Sequence, residues 1–331
     1  MSKVGIIANL AAGKDIRRLV AHATVMDNVK KTDIVRRAIL ALDSTGVDEI
    51  LIMPDYDNLG YRALDGIHHR LRCQASIMDM AILGNQEDSI RAARLMNELG
   101  VGCIITVGGD GTNRVVARSC GLVPILPIST GTNNSFPFMV EGTTAGLAAG
   151  VLAQGIVDQA KAVTATKKLN IIRNGRLIDL ALIDAVVLDE PFIGSKAIWD
   201  LSRVKEVVAT QGDPSCIGMS SIVGSIYPVG RDDDQGFYLR LGGGNIKVKA
   251  AIAPGVIREV EIEKFRVLSL GERVEVSEKP SLLALDGERE VEISPDDKVE
   301  IELCKDGPRV VKIKEALDEA VRKGFFVSSG Q

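Results

Sequence analysis

The first half of the chain alternates between two hydrophobic patterns. "KVGIIANL" is a short continuous apolar run, as expected of a buried strand. "KDIRRLVAHA" then places Ile16, Leu19, Val20 and Ala23 at helical spacing. "DIVRRAILALDSTG" repeats that spacing with Ile34, Val35, Ala38, Ile39 and Leu42, and Gly46 supplies a stop. "DEILIMP" predicts a second strand, and Leu59, Ala63, Ile67 and Leu71 predict a helix after it. "ASIMDMAIL" reads as a third strand, and "NQEDSIRAARLMNELG" as a capped amphipathic helix closed by Gly100. "GCIITV" is a fourth strand, "NRVVARSC" a helix and "VPILPI" a fifth strand. "TTAGLAAGVLAQG" is a helix of small residues closed by Gly155. This alternation predicts an α/β domain over 1–157, a doubly wound parallel sheet covered on both faces.

Near residue 158 the period changes to two. "KKLNIIR" and "RLIDLAL" flank Asn174-Gly175, a strong hairpin signal. Alternating runs continue through "QGFYLRL", "NIKVKAAIAP", "REVEIEKFRVLSL", "ERVEVSE", "SLLALDGEREVEIS" and "DKVEIEL". They predict an antiparallel β-sandwich over 158–311. "SKAIWDLSRVKEVVATQG", 195–212, is read as a helix inside it, with Trp199 as a packing residue. The tail, 312–331, holds an amphipathic helix with Ile313, Ala316, Leu317, Ala320 and Val321 on one stripe. We expect it to return to the first domain.

Ligands of parallel sheets bind beyond the carboxyl ends of the strands. Three unusual loops fall there: "NLAAGK" (9–14), "GGDGTN" (108–113) and "STGTNNS" (129–135). We expect all three at one edge of one sheet. Gly108, Gly109 and Gly111 allow close approach to the backbone, and the start of the following helix suits phosphate oxygens. Thr112 can cap that helix or donate to a phosphate. Asp110 would repel a bare phosphate, so its place there suits holding Mg²⁺ or accepting a hydrogen bond or proton from a hydroxyl. Taken alone, the loop reads equally well as a tight turn. Lys14 lies in phosphate reach but at a helix start, where lysines are often only solvated. Neither the dinucleotide fingerprint nor the P-loop fits: Ala8 stands where the P-loop needs glycine, and Asp15 where it needs Ser or Thr.

Composition narrows the classes. The 331 residues suit two domains. A net charge of −4 and 4% aromatics argue against nucleic acid or an anionic membrane surface as partner. Five dispersed cysteines without Cys-x-x-Cys suit a reducing cytosol, and the three histidines lack zinc spacing. No apolar stretch reaches ~18 residues, so no membrane span is expected and a cytoplasmic location is. "RDDDQG", 231–236, reads as a solvated loop, since three adjacent carboxylates repel. Asp286-Gly287 is a common turn pair, and the turn and a functional carboxylate need not exclude each other.

"GGDGT" after an apolar strand, a Gly-Thr-x-Asn loop about twenty residues further on, and a sandwich carrying Asp286-Gly287-Glu288 together resemble the NAD kinase and diacylglycerol kinase superfamily. "IIANLAAGKDIRRLVA" and "TDIVRRAILALDSTGVDEILIMPD" look most like its acetoin-catabolism protein X branch. The resemblance spans essentially the whole chain. It implies ATP-dependent phosphoryl transfer to a hydroxyl, with Mg²⁺, in the cleft between two domains. Asp110 would be the central carboxylate and a metal ligand, Asp286 a second metal ligand, and Glu288 the base. Asn9, Gly108, Gly109, Gly111, Thr112, Asn113, Gly131, Thr132, Asn133 and Asn134 would contact nucleotide or substrate. The resemblance also favours a homo-oligomer.

Some positions depart from the superfamily's patterns. Leu10 and Ala12 stand where lipid kinases carry Pro and Ser. Ile183-Asp184 stands where NAD kinases carry an Asn-Glu pair, and "CIGMSSIVGSIYP" lacks their Thr-Gly-Ser-Thr-Ala-Tyr-like order. The acceptor therefore stays open between NAD(H) and another small hydroxyl compound. A catalytically degenerate nucleotide-binding sensor and a lipid kinase are the alternatives.

Overall fold

The computed structural model describes residues 1–9, 26–131, 133–190 and 201–327. The helix expected over 14–23, Lys14, Thr132 and Trp199 lie outside them.

In the first domain, apolar runs and amphipathic segments become strands and helices in turn. They are β1 (Lys3–Ala8), α1 (Asn28–Thr45), β2 (Glu49–Ile52), α2 (Leu59–Leu64), β3 (Gln74–Ile77), α3 (Gln86–Glu98), β4 (Cys103–Gly108), α4 (Asp110–Ala117), β5 (Ile125–Ser129), α5 (Gly142–Ala153), α6 (Gln159–Ala162) and β6 (Val163–Ala165). Local chemistry sets the ends of α1. Asp27 accepts the Lys30 amide at its start, and Gly46 leaves it in the left-handed region at φ 86°.

Strands β3-β2-β1-β4-β5 lie side by side in that order, all parallel. The order reverses between β1 and β4, which opens a crevice beyond their carboxyl ends. Alternation along β1 sends Val4, Ile6 and Ala8 to the core shared with α1 and α5, and Ile7 to the core shared with α3. The small residues of α5 have a packing reason. A Cβ on Gly142 or Gly146 would lie 2.5 Å from the Ile34 or Ala38 carbonyl oxygen of α1. Glycines four apart therefore form a backbone-to-backbone seam between the helices.

The sandwich follows: β7 (Lys168–Arg173), β8 (Arg176–Ala181), β9 (Asp184–Leu188), β10 (Val204–Ala209), α7 (Met219–Ile226), β11 (Gln235–Ala253), β12 (Val256–Ser269), β13 (Arg273–Glu275), β14 (Ser281–Leu285), β15 (Glu288–Ile293) and β16 (Val299–Cys304). Its sheets, β12-β11-β10-β9-β14-β15 and β13-β16-β7-β8, are antiparallel. They enclose a core that includes Ile171, Val187, Val208, Leu283 and Ile301. Asn174 and Gly175 form the β7–β8 turn at φ 51° and 78°; Asp286 and Gly287 form the β14–β15 turn at 51° and 83°. These are the left-handed pairs that two-residue hairpins require.

The helix expected over 195–212 is corrected in its described part. Val204–Ala209 is an inner strand of the six-stranded sheet. Val204, Val207 and Val208 are buried, and a strand buried on both faces shows no alternation to set it apart from a helix. The chain then returns as β17 (Arg309–Val311) and α8 (Ile313–Arg322). β17 lies parallel to β5 and pairs with β6 on its other side. Residues 163–165 and 309–311 thus extend the first sheet rather than the sandwich. Ala316 and Ala320 of α8 join the core with α1 and α5. Among the described residues, no helix is long and apolar enough to cross a membrane.

Candidate active site at the sheet's switch point

The crevice between β1 and β4 gathers the described parts of the three loops the sequence singles out. Asn9 directly follows β1, and its Nδ2 donates to Thr112 Oγ1 at 2.9 Å. The Thr130 amide donates to the Gly108 carbonyl at 3.2 Å, which ties the loop after β5 to the loop after β4. Asn9, the 108–113 loop and the described part of 129–135 therefore share one edge of the sheet. Gly109, Asp110, Gly111, Gly131, Asn133 and Asn134 are partly exposed there.

Each glycine of the loop meets a different neighbour. A Cβ on Gly108 would lie 2.5 Å from Thr112 Oγ1, one on Gly109 2.8 Å from Asn134 Oδ1, and one on Gly111 2.9 Å from Glu288 Oε1. The bare backbone serves packing of the loop as well as access to it. Asn134 Nδ2 donates to Ser129 Oγ at 2.8 Å and to the Gly131 carbonyl at 3.3 Å, closing the second loop on itself.

Two of the residues expected to contact a ligand lie inside the fold. Asn113 is fully buried; its Oδ1 accepts the Thr106 hydroxyl at 2.7 Å, and its Nδ2 donates to the Gly109 carbonyl at 2.9 Å. It braces the turn from inside. Thr112 is buried too, and its hydroxyl oxygen accepts from Asn9.

Asp110 is the first residue of α4, but its carboxylate turns to the neighbouring loop. It accepts the Ser135 amide at 3.1 Å on either oxygen and the Phe136 amide at 2.8 Å. The sandwich reaches the same segment. Arg231 Nη2 donates to the Ser135 and Phe136 carbonyls at 2.9 and 2.6 Å, and Gln211 Nε2 to the Ser135 carbonyl at 3.1 Å. Asp232, Asp233 and Asp234 are exposed, as a solvated loop predicts, whereas Arg231 turns inward.

Asp286 is buried. Its carboxylate accepts the amides of Leu182, Ile183 and Asp184 at 2.7–3.2 Å. Burial pushes it up to about 7, against the pull of Arg114 and of those amides. Arg114, also buried, lies 3.2 Å from Asp179 Oδ2 and 3.9 Å from Glu288 Oε2. Glu288 is about half exposed above Gly111, at the border of the crevice.

Among the described residues, the carboxylates near the loop do not form a Mg²⁺ cage of their own. Asp286 accepts backbone amides on both oxygens, and Asp110 accepts the Ser135 and Phe136 amides. Among the described residues, no group of three or more His, Cys, Asp or Glu can hold a metal ion. Asp286 ties the β14–β15 turn to the β8–β9 connection.

The pattern did not reveal Lys31, Arg114, Asp179, Gln211 or Arg231. Lys31 is fully buried on α1, with Nζ 3.2 Å from the Asn9 carbonyl. The one available signal was charge in an otherwise apolar stripe, as in Arg114 beside Val115 and Val116.

Residues 18–156 match the family model of the ATP-NAD kinase N-terminal domain, and 167–306 that of the acetoin catabolism protein X C-terminal domain. The first span ends before α6 and the second before β17, where the chain crosses between sheets. The matched models relate the first domain to ATP-NAD kinases and the second to acetoin catabolism protein X. The acetoin catabolism protein X of Cupriavidus necator is 38% identical over 99% of this chain and 95% of its own. The chain belongs to the acetoin catabolism protein X family. A diacylglycerol kinase structure from Bacillus anthracis is 12% identical, with a TM-score of 0.45 over 94% of this chain and 96% of its own.

Proposed function

We propose that the protein is an ATP-dependent phosphotransferase acting on a hydroxyl of a small molecule. The observation that carries this is the meeting of Asn9, the 108–112 loop and the described part of the 129–135 loop at the switch point, with the N-terminus of α4 opening into it. Backbone amides there would receive the nucleotide phosphates. The acceptor oxygen bonds to the γ-phosphorus while the bond to the β–γ bridging oxygen breaks and ADP leaves. The hydroxyl proton passes to a carboxylate, for which Glu288 is the more exposed and Asp110 the more rigidly held. Catalysis would rest on positioning and charge. Ile183 and Asp184 are buried, which favours an acceptor other than NAD(H).

The test incubates the protein with ATP, Mg²⁺ and a panel of hydroxyl compounds that includes NAD and NADH, and follows ADP and phosphorylated product by mass spectrometry. Product with any acceptor supports the reading. ATP hydrolysis or binding without product across the panel counts against it. It would favour a second reading, a nucleotide-binding sensor, for which the hydrogen bonds that Asp110 accepts from Ser135 and Phe136 are the specific observation.

A further inference from the structure

We propose that Arg231 is a positioning residue that acts through the Ser135–Phe136 peptide to fix the Asp110 carboxylate, so that the sandwich sets the geometry of the first domain's Gly-rich loop. One peptide unit carries the link. Its carbonyl, on Ser135, accepts from Arg231 Nη2 at 2.9 Å and from Gln211 Nε2 at 3.1 Å. Its N–H, on Phe136, donates to Asp110 Oδ1 at 2.8 Å. In a trans peptide these groups point in opposite directions. The cation therefore faces the negative end of the peptide dipole and the carboxylate its positive end. Charge-assisted hydrogen bonds of this kind are about twice as strong as neutral ones, and a series of them polarises its members.

The Arg231 side chain is itself held firmly. Its guanidinium carbon lies 4.5 Å from the Phe138 ring centroid and 5.2 Å from that of Phe136. Nη1 is buried without an oxygen or nitrogen partner, so the aromatic rings take the place of one. Burial lowers the proton affinity of the guanidinium, and Asp110 is the first of the negative charges that raise it again. None of this is needed to hold a solvated loop. It joins a residue next to three exposed aspartates to the central carboxylate of the other domain.

The relay stands on geometry alone; its consequence for nucleotide binding rests on the proposed function. The test labels the seven phenylalanines with ¹⁵N and follows the Phe136 amide, assigned by its loss in Phe136→Leu. Arg231→Met should move that amide proton upfield, and Arg231→Lys should recover part of the shift. In an Asp110→Asn background, Arg231→Met should produce less than half the shift it produces in the wild type. An unmoved Phe136 signal in Arg231→Met, or full additivity of the two substitutions, overturns the relay. Should Arg231→Met not fold, Gln211→Leu tests the same carbonyl, with a smaller shift in the same direction expected and no shift overturning the proposal. ATP titration of the same proteins separates the two readings. If the wild type binds no ATP, the phosphotransferase reading fails while the amide signal still decides the relay.

Discussion

Arg114 and Asp179 are joined across the domain boundary by a 3.2 Å ion pair, with the guanidinium side chain only 1% exposed. Removing one partner of a buried pair strands the other charge. Glu288 at 3.9 Å still faces the guanidinium, so Asp179→Ala should cost about 1–3 kcal/mol in urea unfolding. Arg114→Met combined with Asp179→Leu should recover most of that loss. A double variant less stable than the single one would contradict this account of the pair.

Asp286 should make the fold more stable in mild acid. Its carboxyl is raised from 3.8 to about 7 on folding, so the native state holds a proton that the unfolded chain releases. The stabilisation is complete below the unfolded value and is lost as pH rises through about 7. One such proton contributes a limiting slope of about 1.4 kcal/mol per pH unit. Unfolding free energies measured from pH 4.5 to 7.5 should fall with pH more steeply in the wild type than in Asp286→Asn. Equal slopes would show that the group does not titrate there.

Gly146 tests the seam between α1 and α5. Alanine there gains up to about 1 kcal/mol of helix propensity. The added Cβ, however, would lie 2.5 Å from the Ala38 carbonyl and 2.7 Å from the Ala41 Cβ, both on the facing helix. Overpacking of this kind costs about 1–3 kcal/mol. A lower thermal midpoint for Gly146→Ala is expected; a higher one would mean that the helices stand further apart.

Gly108→Ala tests the loop without touching its carboxylates. Its Cβ would press on Thr112 and disturb the bond that Asn9 makes to it. ATP affinity, read by calorimetry, should fall about tenfold or more, with a stability loss of about 1–3 kcal/mol. Unchanged affinity would place the nucleotide elsewhere.

The sheet was legible in the sequence because each parallel strand is an apolar run bounded by a loop, and the loops with unusual chemistry sit where such sheets bind ligands. Val204–Ala209 was not, because a strand buried on both faces carries no period of two. Neither Arg114 nor Arg231 could be given its role, since their partners Asp179 and Ser135 lie 65 and 96 residues away. Only the folded chain shows that Arg231 turns in while its three acidic neighbours face solvent. Likewise the Asp-Gly turn at 286–287 was readable, but the three backbone amides that claim the Asp286 carboxylate were not.

The most direct measurement follows ATP by ³¹P NMR with Mg²⁺ and the acceptor panel, comparing wild type with Asp110→Asn. Circular dichroism would first establish that the variant is folded. The account predicts that the wild type forms ADP and a phosphate ester while Asp110→Asn loses the ester signal. Ester formation at the wild-type rate in Asp110→Asn would contradict it.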